Sequence, residues 1–401
     1  MDASPHVARE VGKDLRLATD QQLSRVVAIV DSMSARGAAD DLIELVRPRL
    51  ATLRPERPLT LSRVLFAPLD PAIVQSRHWR PGTAAIPRSA LSVISRDVIG
   101  GLGGLSSELR QVAEGACWND RTKLRQIGVR LWPGAAEAVR SMIQPKDWRE
   151  QTGLPDEIWV EIQDTLALML SVAVRMESIL ASGEGDPELR ALLVDHRACS
   201  ESTFAVLVRV LLARHHDPAA VLRAVATLRD GQTARARELA VSSIIADTPA
   251  TIRTIVEARA SSAVEEAIQL ASMLDAVETA ETQDRVRKLR ARALDACQVR
   301  LERCIEEDVM SPLQGSASDV EAALSGAEDG ARDASRIDKA TRAFGGRQQA
   351  QKLLKSVSER LLTLVAEGVD AVDRARLVEI LLGPEEALLI ENALSGTQIA
   401  H

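Results

Sequence analysis

Tyrosine is absent from this 401-residue sequence, phenylalanine occurs three times, and asparagine is confined to Asn119 and Asn392. Of the 50 basic residues only seven are lysine. The scarce residues are those with AT-rich codons, so a GC-rich genome accounts for the arginine surplus, and the arginine count carries no functional meaning. Four cysteines (Cys117, Cys199, Cys297, Cys304) show no CxxC spacing. They point to neither a disulfide scaffold nor a zinc site, and reduced thiols are expected.

Long apolar runs are missing as well. The first twenty residues mix acids and bases without an apolar stretch, which argues against a secretory signal. The longest run, Leu166 to Val174, is bounded by Asp164 and Arg175 and falls far short of the roughly 20 residues a membrane span needs. A cytoplasmic chain without membrane insertion is expected. Nucleophile motifs are missing too: no GxSxG and no SxxK occurs.

What is present is the balance of an ordinary globular protein, 46% hydrophobic and 27% charged, with a net charge of −7. The acidic balance argues against bulk nucleic-acid binding, which needs a basic surface to neutralise phosphates. No stretch alternates β-branched and aromatic residues with period two, whereas helix signals recur throughout. The expected fold is all-α: a multi-helix bundle or an irregular HEAT-like stack.

Helix starts are legible at several points. Thr19 with Gln22 makes a capping box before Leu23, Val26, Val27, Val30 and Met33, and Gly37 sits where a left-handed terminating residue belongs. Asp186-Pro187, Asp217-Pro218 and Thr248-Pro249 each place a cap ahead of a proline suited to the first helical turn. Ser318 with Glu321 forms a further capping box. Gly100-Gly101-Leu102-Gly103-Gly104 reads as a hinge or tight helix–helix turn, since it lacks the preceding strand and the Lys-Ser/Thr of a phosphate loop.

Two longer segments, about Pro249 to Val277 and Gln283 to Val309, keep apolar residues at three-and-four spacing. The short TAET turn between them predicts a long antiparallel coiled-coil-like hairpin at 249–309. Aromatics divide the chain: Phe66, Trp79, Trp118, Trp132, Trp148 and Trp159 precede residue 160, and only Phe344 follows Phe204. An N-terminal helical domain over 1–246 with a bulky core is therefore expected. A C-terminal region over 247–401 would follow, made of the hairpin and a small bundle at 318–395.

The stretch 53–90 stands apart. Pro55, Pro58, Pro68, Pro71, Pro81 and Pro87 forbid a long helix, yet Leu59, Leu61, Val64, Leu65, Phe66, Leu69 and Trp79 require burial, so an ordered loop is expected. Its arginines allow two uses. As a partner surface, Arg63, Phe66, Arg77, Trp79, Arg80 and Arg88 would contact an acidic helix or hold an anion, with Arg giving forked hydrogen bonds and Trp79 an anchor. As a structural brace, the stretch would instead turn its arginines to water or use them to cap helix C-termini.

Two sets of polar residues complete the inventory. Glu157, Glu161 and Asp164 share one helix face and read as a solvated face. His196 with the pair His216-Asp217, in an all-α chain, resembles the metal-dependent HD phosphohydrolases. That resemblance implies His196, His216 and Asp217 as ligands of a divalent metal. Pro218 replaces the family's helical context, however, and no later aspartate supplies the last ligand. Asp217 also reads simply as the cap of the following helix. No cofactor is expected. The function expected is that of a non-enzymatic scaffold or adaptor, contacting a protein partner or a second copy through the hairpin, with metal-dependent phosphohydrolysis as the alternative and a nucleic-acid-associated regulator as a third reading.

Overall fold

The structure, a computed structural model, describes residues 22–23, 26, 30, 58–76, 79–117, 120–182, 186–257, 260–279, 282–314, 320–364, 369–385 and 388. The first expected helix, with Gly37, lies almost wholly outside these residues, as do Arg77 and the Ser318 cap. The fold is all-α and multi-helical. It divides into two compact units, one formed by Met1–Asp247 with Asp275–Val277 and the other by Thr248–Leu274 with Glu278–His401.

In the first unit the proline-rich stretch begins with α1 (Leu61–Phe66), capped by the Thr60 hydroxyl, which accepts from the Arg63 amide at 3.4 Å. Pro68 and Pro71 then confine the chain to a 3-10 turn over Ala67–Ala72. Two-residue strands, β1 (Ile73–Val74) and β2 (Ile86–Pro87), pair in parallel with Ile73 opposite Ile86. This small pairing has no counterpart in the sequence reading, because two residues are too few to show an alternation. After it come α2 (Arg88–Gly101) and α3 (Gly104–Ala113), separated at the glycine cluster by a turn in which Gly103 has φ +52°.

The core of this unit is built on α4 (Arg121–Ser141) and α6 (Trp159–Ser182), joined through α5 (Trp148–Thr152) and a 3-10 turn at Asp156–Ile158. Gln163, near the start of α6, donates to the carbonyls of Val139 and Met142 at 2.7 and 2.8 Å. It thereby satisfies acceptors that the end of α4 leaves open, and it sets the two helices antiparallel. The apolar run Leu166–Val174 lies in α6, where Leu166, Met169, Leu170 and Ala173 are fully buried. Behind it follow α7 (Asp186–His196), α8 (Glu201–Arg214) and α9 (Pro218–Ala226). Thr203 to Leu212 on α8 are all buried, so that helix is enclosed on every side.

Tryptophan fixes this core in detail. The Trp132 indole donates to the Val64 carbonyl at 2.9 Å, joining α4 to the proline-rich stretch. Trp148 and Trp159 meet edge to face with centroids 4.9 Å apart, a favoured geometry for aromatic pairs.

Helix α10 (Gly231–Glu257) runs straight through Pro249, so the helix start expected at Thr248-Pro249 is not one. A proline inside a helix costs about 3 kcal/mol. Ile244 and Ile245 before it and Ile252 and Ile255 after it are all buried, and that burial outweighs the lost hydrogen bond. Among the described residues, Gly231–Val256 is also the one helix long and apolar enough to cross a membrane by length and composition. It carries Asp247, which is ion-paired to Arg209.

In the second unit, α11 (Ala260–Val277) and α12 (Gln283–Arg303) flank the TAET turn. The hairpin is not confirmed, since α12 packs chiefly on α14 (Val320–Ala343) and on a π-helical stretch, Cys304–Met310, that continues it. A short α13 (Ser311–Gln314) precedes α14, and α15 (Arg347–Thr363) and α16 (Ala371–Leu382) complete the bundle. α14 presents Ala327, Gly330, Ala331 and Ala334 to the core. A side chain as small as a methyl at Gly330 would lie 2.5 Å from the Asp308 carbonyl oxygen, so glycine is what permits this approach. Cys297 and Cys304 are buried as expected, and burial pushes both thiols up to about 12.

The close approach separates two glycines of one helix. Gly326→Ala, in open space, gains helix propensity and is expected to stabilise by about 0.5–1 kcal/mol. Gly330→Ala is expected to destabilise by about 1–3 kcal/mol through overpacking. Equilibrium urea denaturation followed by far-UV circular dichroism checks both, and equal effects would show that the helices do not meet at Gly330.

Candidate functional site

Of the residues expected to form a partner surface at 53–90, the aromatic ones are turned inward, Arg63 is half-buried and Arg80 is exposed. Phe66 and Trp79 are each only 7% exposed, and the Trp79 indole donates to the Ala85 carbonyl at 3.1 Å, closing the loop on itself. The Arg63 guanidinium donates to the Pro58 carbonyl, and Arg80 donates to the Trp79 carbonyl at 2.7 Å. Arg88 is half-buried in the first turn of α2. Ser76 and Ser89 bond to each other at 2.6 Å, and Ser89 reaches the Thr152 carbonyl at 2.8 Å. These contacts fasten the loop to the helices beneath it. Arg63 and Arg80 bond to separate carbonyls instead of converging on one point.

The residue that secures the loop from below was not among those singled out. Arg209 on α8 is 5% exposed, and its guanidinium donates to the Ala84 carbonyl at 2.8 Å and to the Asp247 carboxylate. Burial lowers its pKa, and the Asp247 charge partly restores it. A sequence signal existed: Arg209 is the one charge within the apolar run Phe204–Leu212. A second ion pair on the same helix, Arg214 with Glu177 of α6, spans 2.6 Å and is also largely shielded from solvent.

The metal alternative is not assembled. Among the described residues no three His, Cys, Asp or Glu side chains are grouped so as to hold a metal ion. Asp217 caps α9, accepting from the Ala220 amide at 3.1 Å and from the Arg223 guanidinium at 2.9 Å. Burial pushes its carboxyl up, and these donors outweigh burial, holding the pKa below the ordinary carboxylate range. His216 stacks on the buried His215 with ring centroids 4.4 Å apart. His196 lies at the end of α7, where burial lowers its pKa, Asp195 raises it and Arg175 lowers it further. Glu157 and Asp164 are exposed and Glu161 is half-buried, consistent with a solvated face.

The second unit carries a concave surface. A groove of about 460 Å³ is lined by Leu362 of α15, by Val372, Ala375 and Val378 of α16, and by Pro384 and Leu388 beyond it. Val372 is 74% exposed and Leu388 59%, more than any other large hydrophobic described in that unit. Polar members of the lining are Arg376 and Glu379. Sequence reading passed over these residues because Val372 is a single large apolar residue between Ala371 and Asp373, and Leu388 lies in a short apolar run with no helix signal of its own. Their association depends on the packing of α15 against α16.

Compared with known proteins, the chain matches no family model, no curated protein and no solved structure. Any functional reading therefore rests on its own geometry.

Two measurements follow from the buried charges. Arg209→Met is expected to cost about 2–4 kcal/mol in urea denaturation, because the Ala84 carbonyl loses a charged donor and Asp247 its counter-ion. Arg209→Lys should recover only part of that, having no planar fork to serve both partners; full recovery would count against the clamp. For His196, the lowered folded-state pKa means that stability is complete above about pH 6.5, the unfolded value, and falls as pH drops through it toward the folded value. His196→Gln should flatten that decline between about pH 7 and pH 5, and an unchanged slope would assign the decline to other groups.

Proposed function

We propose that this chain is a cytoplasmic, non-enzymatic helical scaffold or adaptor that works through protein–protein contact, and that the groove of the second unit is its contact surface. The supporting observation is the gathering of exposed apolar side chains in one concavity. Scattered apolar residues are normal on a surface, whereas several lining one groove mark a place where another molecule removes them from water. Groove recognition of this kind is how amphipathic helices are commonly held. The proline-rich loop serves this reading as a brace, since its aromatic residues and described arginines are engaged within the first unit.

Among the described residues no grouping of side chains supports the hydrolase alternative. Asp217, His215 and His216 are accounted for by the cap and the packing around α9. The described aromatic residues of the loop, Phe66 and Trp79, are buried, which does not support the aromatic face a nucleic-acid regulator would use.

Photo-crosslinking in the native host tests the proposal. A photoreactive amino acid at Val372 or Leu388 is expected to give a discrete protein adduct, and one at the exposed Arg292 of α12 none. Absence of an adduct at both groove positions, or equal labelling at Arg292, would remove the groove from the function.

A further inference from the structure

We infer that the groove takes an amphipathic helix of a partner protein whose apolar face is flanked by lysine or arginine. This rests on the reading of the groove as the contact surface and adds the chemistry of its occupant.

The floor sets the apolar requirement. Val372, Ala375 and Val378 line the groove along α16, with Leu362 on one side and Leu388 beyond the helix end. The small Ala375 lies between the two valines, so this side of the groove is a row of aliphatic side chains and suits another such row more than a single ring. Rows at three-and-four spacing are what an amphipathic helix presents.

The charge requirement comes from two independent features. Among the described residues the one cation in the lining, Arg376, is already engaged: its guanidinium grips both carboxylate oxygens of Glu328 on α14, at 2.9 and 3.2 Å. Among the described residues, Glu379 in the lining and Glu385 next to Pro384 have no ion-pair partner, and both are exposed. The charge left uncompensated at the groove is therefore negative. The second feature is the C-terminus of α16, which ends at Leu382 beside Pro384 with no basic residue in its last turn. A helix end carries about half a negative charge, so the same end of the groove attracts cations from the backbone as well as from the side chains. A basic partner helix meets both. Anionic lipid is disfavoured by the same charges, because membrane surfaces recruit basic segments, not acidic ones.

Fluorescence anisotropy with the full chain and two labelled peptides of about 14 residues tests this, each built with leucine at helical spacing, one carrying lysine and the other glutamate at the remaining positions. The Leu/Lys peptide is expected to bind and the Leu/Glu peptide not. Val372→Asp should weaken Leu/Lys binding about tenfold or more by placing a charge in the apolar floor. The double variant Glu379→Lys, Glu385→Lys should weaken it and admit the Leu/Glu peptide. Both sites are exposed, so unchanged circular dichroism certifies that the variants are folded. Equal binding of the two peptides, indifference to Val372→Asp, or preferential binding to phosphatidylserine vesicles would overturn the inference. An adduct at Val372 in the host together with no binding of the Leu/Lys peptide leaves the contact surface standing and removes the basic helix as its occupant. Absence of both removes both.

Discussion

A guanidinium taken almost completely out of water is costly to bury, and the first unit is arranged so that this cost is met from two sides. The Arg209 side chain leaves a helix enclosed by apolar neighbours, gives one hydrogen bond to Ala84 in the proline-rich loop and another to Asp247 on α10. Three segments far apart in sequence are thus held to one another by a group that tolerates no looser arrangement, since a buried charge that loses its partners is strongly destabilising. The parallel pairing of β1 with β2, the closure of the loop by Trp79 and the serine bonds to Thr152 each hold the same loop that Ala84 belongs to. In this setting the loop's aromatic and basic residues are parts of a structural joint.

The second unit meets the opposite problem. With Phe344 its only aromatic residue, it fills the space between helices with aliphatic side chains such as Leu301, Ile305 and Leu354 and, at α14, brings backbones close together. The Ala327–Ala334 face of α14 and the missing side chain at Gly330 allow helix axes to approach where bulkier residues would hold them apart. A π-helical stretch at Cys304–Met310 forms the facing surface, and such widened turns are frequent at positions where a helix must adjust to a neighbour or to function. Val372 and Leu388 stay outside this core and line the groove.

Local signals in the sequence were read well where the physics is local. Asp217 before Pro218 fixes a helix start whatever surrounds it, because cap and proline act on their own backbone, and the glycine cluster at 100–104 marks a turn for the same reason. The run Leu166–Val174 was recognised as interior for its lack of charge. Pro249 was misread, since the penalty of a proline within a helix is set against the burial of Ile244, Ile245, Ile252 and Ile255, and no local rule weighs those. The hairpin at 249–309 rested on apolar spacing and the short TAET turn. Spacing shows that a helix has an apolar face but not which helix covers it, and α14 with its small residues lies against α12. The candidate sites show the same division. Trp79 needs burial and is buried, but what the loop is fastened to depends on a partner 125 residues from Ala84, Arg209. The groove depends on two helices meeting, which single positions do not reveal.

The uneven distribution of aromatic residues has a practical side. All five tryptophans lie between Trp79 and Trp159, within the first unit, and there is no tyrosine anywhere in the chain. Ultraviolet emission from this protein therefore reports on the first unit, while the second is optically silent apart from its peptide bonds and Phe344. The two halves carry, in effect, different built-in dyes: tryptophan fluorescence follows one, far-ultraviolet absorption follows both, and their difference isolates the half that bears the groove without the attachment of any label.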